Sequence, residues 1–164
     1  MNLTGLIREM ITYDAGDAKR IQHFLKVHTL AALIGREEKL PSETQDILEA
    51  AAILHDIGIH EAERKYGSTS GKYQELEGVP LARTMLEKLG FEVGFIERVC
   101  YLVGHHHTYN QVDGQDYQIL LEADFLVNAY EDQLSTKAIA SFRDKIFRTD
   151  SGKKLLEDMY GACQ

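Results

Sequence analysis

The sequence predicts an all-α fold, a single-domain helical bundle, and three observations carry that expectation. Apolar residues recur at intervals of three and four rather than two, the spacing of a helical face. Only two prolines, Pro41 and Pro80, occur in 164 residues. Length and composition agree: 44% hydrophobic and 27% charged residues suit one folded domain over residues 1–164, and disordered chains are poorer in apolar residues. There is no internal repeat, low-complexity tract or linker.

The elements follow in order. A short first helix runs from about Leu3 to Thr12 and is broken by Asp14-Ala15-Gly16-Asp17. From Asp17, the stripe Ile21, Phe24, Leu25, Val27, Ala31, Ala32 and Leu33 predicts a second helix ending near Gly35 or slightly beyond. Pro41-Ser42-Glu43 is a helix start signal with Ser42 as the expected cap. The third helix carries Ile47, Leu48, Ala51, Ile53 and Leu54 and ends near Gly58. Residues Ile59 to about Gly78 are polar, contain Gly67, Gly71 and Gly78, and lack sustained periodicity. They read as a long loop, which in a compact domain is usually functional or mobile. Helices resume over about Val79–Leu89, Glu92–His107 and Tyr117–Tyr130, with weaker amphipathic segments at Ser135–Phe147 and Lys153–Tyr160.

Charge and cysteine content narrow the function classes. Eighteen basic against 26 acidic residues give a formal charge of −8, which argues against passive binding to a nucleic-acid duplex. A small phosphorylated substrate remains compatible if a bound metal supplies positive charge locally. No apolar run approaches the ~20 residues of a membrane span. The first residues lack a secretory pattern, and Cys100 and Cys163 form no disulfide framework or CxxC pair. A cytoplasmic setting without a membrane partner is therefore expected, and a homodimer is left open.

Chemistry-bearing residues fall in five places: Arg20 to His23 with His28, then His55-Asp56, Glu75-Leu76-Glu77, His105-His106-His107, and Glu122-Ala123-Asp124. Asp56 stands near a helix C-terminus, where the macrodipole is already negative, beside the core-type residues Ile53, Leu54 and Ile57. Asp124 repeats the anomaly among Leu120, Leu121, Ala123, Phe125 and Leu126. A buried carboxylate needs a cation or a full set of hydrogen bonds. Any one of these residues alone reads as a cap, an ion-pair member or a satisfied core histidine. Together, four helices each carry an out-of-place His or Asp, and bundles build metal sites from such inward-facing side chains. Successive helical residues point about 100° apart, so two of the three consecutive histidines can share a site. His105 and His106 lie nearer the apolar turn and are preferred, with His107 kept open. His28, five residues from His23, cannot face the same point well, and His60 is expected to cap or solvate the loop.

Arg20-Ile21-Gln22-His23, Ala51-Ala52-Ile53-Leu54-His55-Asp56-Ile57-Gly58, Val103-Gly104-His105-His106 and Leu121-Glu122-Ala123-Asp124 resemble, in order, the motifs of the HD superfamily of metal-dependent phosphohydrolases. The resemblance covers about residues 17–130, with the helices of about 135–160 packed on that core. It implies a bundle of the HD-domain type with a central metal held by His23, His55, Asp56 and Asp124. Two-metal relatives add a histidine between the second and third motifs and a histidine pair before the last. Here the intermediate position reads Glu75-Leu76-Glu77-Gly78, so Glu77, or else Glu75, is the expected replacement, and the pair is His105 and His106. Where some relatives have a lysine after His-Asp-x-Gly this chain has Ile59, and Arg20, Arg64, Lys65 or Lys72 are candidates for the phosphate contact.

The function implied is hydrolysis of a small nucleotide-like phosphomonoester or phosphodiester, dependent on one or two divalent ions (Mn, Fe, Co, Zn, Ni or Mg). Glu77 would orient the nucleophile, and a non-ligating histidine of 105–107, with His106 as the candidate, would protonate the leaving group. The Gly67–Gly78 segment would close over the substrate; Tyr66, Tyr73 and Tyr109 could stack on a base, but with eight tyrosines spread along the chain packing or solvent exposure is the stronger reading. Two other classes keep the metal site: a di-iron centre that activates oxygen, and a non-catalytic regulatory module.

Overall fold

Two helices that are buried on nearly all sides organise the chain. In the computed structural model, which describes residues 1–161, α3 (Ser42–Leu54) buries nine of its 13 residues and α7 (Gln115–Glu131) 13 of its 17. Helices apolar all round belong inside a bundle. The long α2 (Ala18–Glu37) packs along both, and the three form the central layer. Around it lie α1 (Leu3–Tyr13), against α3, and α6 (Val93–Val103), also against α3. Outside α6 sits α5 (Gly71–Lys88), with α4 (Ile59–Tyr66) beside it. On the far side of α7, α8 (Thr136–Ile146) and α9 (Asp150–Tyr160) close the bundle. No strand forms among the described residues. None of these helices is long and apolar enough to cross a membrane. Cys100 is buried and free; Cys163 lies outside the described residues.

Several helices carry side-chain caps, while the one cap expected from the sequence does not form. Asp17 caps α2 by accepting from the Arg20 amide, and Ser135 and Thr149 cap α8 and α9 in the same way. At α3 the cap position is Pro41, and Ser42, the expected cap, is already inside the helix without a capping bond.

The main correction concerns Ile59 to Gly78. In place of a long loop there are two helices joined by residues 67–70. Their polarity reflects exposure: α4 buries only Ala62. Gly67 ends α4 in the left-handed conformation, φ 62°, which glycine adopts without steric cost. Gly58 and Gly78 serve contact rather than mobility. A Cβ on Gly58 would lie 2.4 Å from the Gln74 carbonyl oxygen and 2.6 Å from the Gly78 nitrogen. The α3–α4 corner thus rests directly on the α5 backbone. Pro80, expected near a helix start, sits inside α5, where it offers no N–H to the preceding turn.

A second correction concerns the three histidines. Helix α6 ends at Val103, so residues 104–107 form turns. The His105 amide bonds Leu102, three residues back, which tightens the chain and removes the 100° step assumed for a helix.

Glu122 is completely buried. Its carboxylate accepts from the Gln118 side chain, the Thr149 hydroxyl and amide, and the Arg148 amide. It sits at the N-terminus of α9, close enough that a Cβ on Gly152 would be 2.1 Å from its Oε1. It joins the C-terminal helices to α7.

Candidate metal centre

Five side chains from four parts of the bundle converge. His23 comes from α2, His55 closes α3, Asp56 follows in the α3–α4 turn, His106 stands after α6, and Asp124 projects from mid-α7. His23 Nε2 lies 3.2 Å from each of Asp56 Oδ2, Asp124 Oδ1 and His55 Nε2. His55 Nε2 lies 3.4 Å from Asp56 Oδ2 and 3.3 Å from Asp124 Oδ1. The other oxygen of Asp56 faces a different partner, with Oδ1 3.3 Å from His106 Nε2.

The hydrogen atoms of the imidazoles are committed on the outer side. His23 Nδ1 meets Glu131 Oε2 at 2.9 Å, His55 Nδ1 meets the Ala52 carbonyl at 2.7 Å, and His106 Nδ1 meets the Val103 carbonyl at 2.8 Å. An imidazole that donates through Nδ1 in its neutral form presents a bare Nε2 lone pair. Three such lone pairs and two carboxylates therefore point at one another. Asp124 Oδ1 and His106 Nε2 are buried without a hydrogen-bond partner, a costly arrangement unless a cation joins them. The spacing agrees with an ion: bonds of about 2.1 Å at angles near 90–109° set neighbouring donors about 3.0–3.4 Å apart.

Without a metal, protons take the cation's part. Burial alone would lower the His23 imidazolium, but the facing carboxylates of Asp124 and Asp56 outweigh it and raise the group to about 9. Burial likewise opposes His55, yet Asp56 and Asp124 hold it well above its ordinary value. Both aspartates, despite burial, are held well below theirs by the facing histidines.

A second potential ligand group comprises Asp56, His106 and His107, with ligating atoms within 4.8 Å of one another. His107 reaches inward, and its Nε2 meets Gln74 Oε1 at 2.8 Å. Burial, with His106 beside it, lowers His107 to about 4, so it is neutral at pH 7 and competent as a ligand. Both groups face a cleft of ≈ 410 Å³, whose walls include Asp17, Arg20, His60, Glu63, Gln74, Asn128 and Asp132.

Arg20 faces the cluster, with Nη1 3.2 Å from Asp56 Oδ2. Other expectations are corrected by direction. His105 turns outward, bonds the Tyr101 carbonyl and stacks on the Tyr101 ring at 4.1 Å. Glu77 lies one turn beyond Gln74 on α5 and bonds Lys65 Nζ at 2.8 Å and Tyr66 OH at 2.9 Å, so neither Glu77 nor Lys65 reaches the cleft. Glu75 accepts from the His107 amide and the Thr108 hydroxyl. Arg64 pairs with Glu61 on the surface, and Lys72 lines an outer groove between α5 and α6 with His105. Tyr66 stacks on Tyr73, and Tyr109 packs edge-on against Phe142; none of the three lines the cleft. His106 has the geometry of a ligand rather than of a proton donor. His28 pairs with Glu49, as its offset from His23 implies.

Three members of the site were missed by the sequence reading. Asn128 and Glu131 lie four and seven residues after Asp124, on the same face of α7, and that spacing was a usable signal. Gln74 had none, since its role depends on α5 beginning at Gly71.

A family model for the HD domain matches residues 20–145, and the chain belongs to that family. It is similar throughout to the crystal structure of a predicted HD superfamily hydrolase from an uncultured Thermotogales bacterium. The two are 26% identical with a TM-score of 0.64 over 98% of this chain and 92% of the other. A comparison with curated proteins finds no match.

Proposed function

We propose that the protein is a metal-dependent hydrolase of small phosphate esters, with room for two ions. One observation carries the reading: the buried, unpartnered Asp124 Oδ1 and His106 Nε2 flank Asp56, whose two oxygens face separate donor sets. His23, His55, Asp56 and Asp124 would hold one divalent ion; Asp56, His106 and His107 would hold the other. Bound metal lowers the pKa of coordinated water and polarises phosphoryl oxygens. Arg20, beside Asp56 at the cleft wall, is suited to a phosphoryl oxygen. Gln74 fixes the His107 ring. His60, the cleft histidine outside both ligand groups, lies 3.3 Å from Asp17 and 3.4 Å from Asp14 and is the candidate proton donor to the leaving group. Since no tyrosine lines the cleft, base stacking gives no support to a nucleotide in particular.

The test combines elemental analysis with turnover on a panel of phosphomonoesters and phosphodiesters, before and after chelation. Restoration by one divalent metal is expected. Absence of metal-dependent turnover, with oxygen uptake by iron-loaded protein, would favour the oxygen-activating class instead.

A further inference from the structure

We infer that Gln74 fixes the tautomer of His107 and thereby makes the two ion positions unequal: one ion is held firmly, and the second is loose and exchangeable. The inference rests on the metal-dependent reading above and deepens it. Gln74 is buried, 8% exposed, and its carboxamide is oriented from both ends. Its Nε2 donates to the Thr69 carbonyl at 2.6 Å, so its Oε1 is the atom that meets His107 Nε2 at 2.8 Å. An amide oxygen only accepts, so it requires an N–H opposite it, and a ligating imidazole is neutral with a single N–H. His107 therefore keeps its proton on Nε2 and has Nδ1 left for an ion. His23, His55 and His106 are held the opposite way, through Nδ1. Packing keeps His107 in this bond. A Cβ on Gly71 would lie 2.7 Å from both Cβ and Cγ of His107, so the side chain is seated on the first turn of α5.

Charge separates the two positions as well. His23, His55, Asp56 and Asp124 offer an ion two carboxylates. Asp56, His106 and His107 offer one, and it is shared with the first position and with Arg20. Neither acid beside Gln74 adds to it. Glu75 holds the His107 amide and the Thr108 hydroxyl, and Glu77 bonds Lys65 and Tyr66. The α5 residue that does act on the second position is the uncharged Gln74, through His107. Cation affinity follows ligand charge and the hydrogen bonds behind the ligands, so the first position fills well before the second.

The experiment titrates chelated protein with Mn²⁺ and follows free and bound ion by electron paramagnetic resonance. One ion should bind tightly, and a second, spin-coupled to the first, only at about 100-fold higher free metal or above. Gln74→Glu keeps the acceptor toward His107, gives up the bond to the exposed Thr69, and adds a charge. It should tighten the second position about 10–100-fold and leave the first unchanged, a gain that a merely structural role for Gln74 would not produce. In protein loaded with one equivalent of zinc, long-range nitrogen–proton NMR spectra should show His107 protonated at Nε2 and His106 at Nδ1. If circular dichroism shows that Gln74→Glu misfolds, the titration and spectra of the unaltered protein decide. Two ions of equal affinity, no second ion at any concentration, an unmoved second constant in folded Gln74→Glu, or His107 protonated at Nδ1 overturns the inference. If that happens while bound metal still supports ester hydrolysis, only the role of Gln74 is wrong. If no ion binds, the metal-dependent reading fails with it.

Discussion

Glu131 does not approach the ion-binding atoms, yet it accepts from His23 Nδ1 at 2.9 Å while Lys26 holds its other oxygen at 2.8 Å. Such a carboxylate fixes the ring and raises the basicity of the opposite nitrogen. Glu131→Ala should therefore weaken metal affinity about 10–100-fold and Glu131→Gln less, as read by competition with a chelating dye. Asp56→Ala should lose bound metal by mass spectrometry, whereas His105→Ala and Glu77→Ala should retain it. The metal-free site also carries a pH signature. His23, raised to about 9, stabilises the fold fully below its unfolded value near 6.5, and that contribution is lost as pH rises through 9. Asp56 and Asp124, held low, contribute above about pH 4 and lose this as pH falls. Chelated protein should melt highest between roughly pH 4 and 6.5, and metal should widen that range upward.

Helices explain where the reading of the sequence succeeded and where it failed. His23, His55, Asp56 and Asp124 were named together by the family resemblance, with the out-of-place acids and histidines on apolar helices as support, and the fold does bring them together. The α4–α5 region was not legible, because its glycines looked like a loop, whereas Gly67 ends a helix and Gly78 lies beneath the Gly58 corner. With that segment went Gln74, and with it the wrong choice of Glu77. The histidine run failed for a local reason, the tightened turn after Val103. Gly58→Ala should test the contact directly. Its Cβ has only backbone to meet at 2.4 Å, so a loss of several kcal/mol, on the order of an overpacked core, should appear in urea melts. Gly94→Ala, inside α6 with nothing within 4 Å, should instead stabilise by up to ~1 kcal/mol.

Across the molecule, the candidate ligands come from α2, the α3–α4 corner, the turn after α6, and α7, so a bound ion would join elements far apart in sequence. Binding restricted to the folded state stabilises it by about 4 kcal/mol at a thousandfold excess over Kd. Chelation should lower the calorimetric melting temperature accordingly, and Asp124→Ala should abolish the difference between metal-loaded and chelated samples. Glu122, two residues before Asp124, has a consequence for how the chain can be cut. The family match ends at residue 145, but three of that carboxylate's four donors come from Arg148 and Thr149. A shortened protein ending at the family boundary would strand a buried anion two residues from Asp124. The family-matched segment thus leaves out part of what satisfies the core, and expression trials should keep α9 attached.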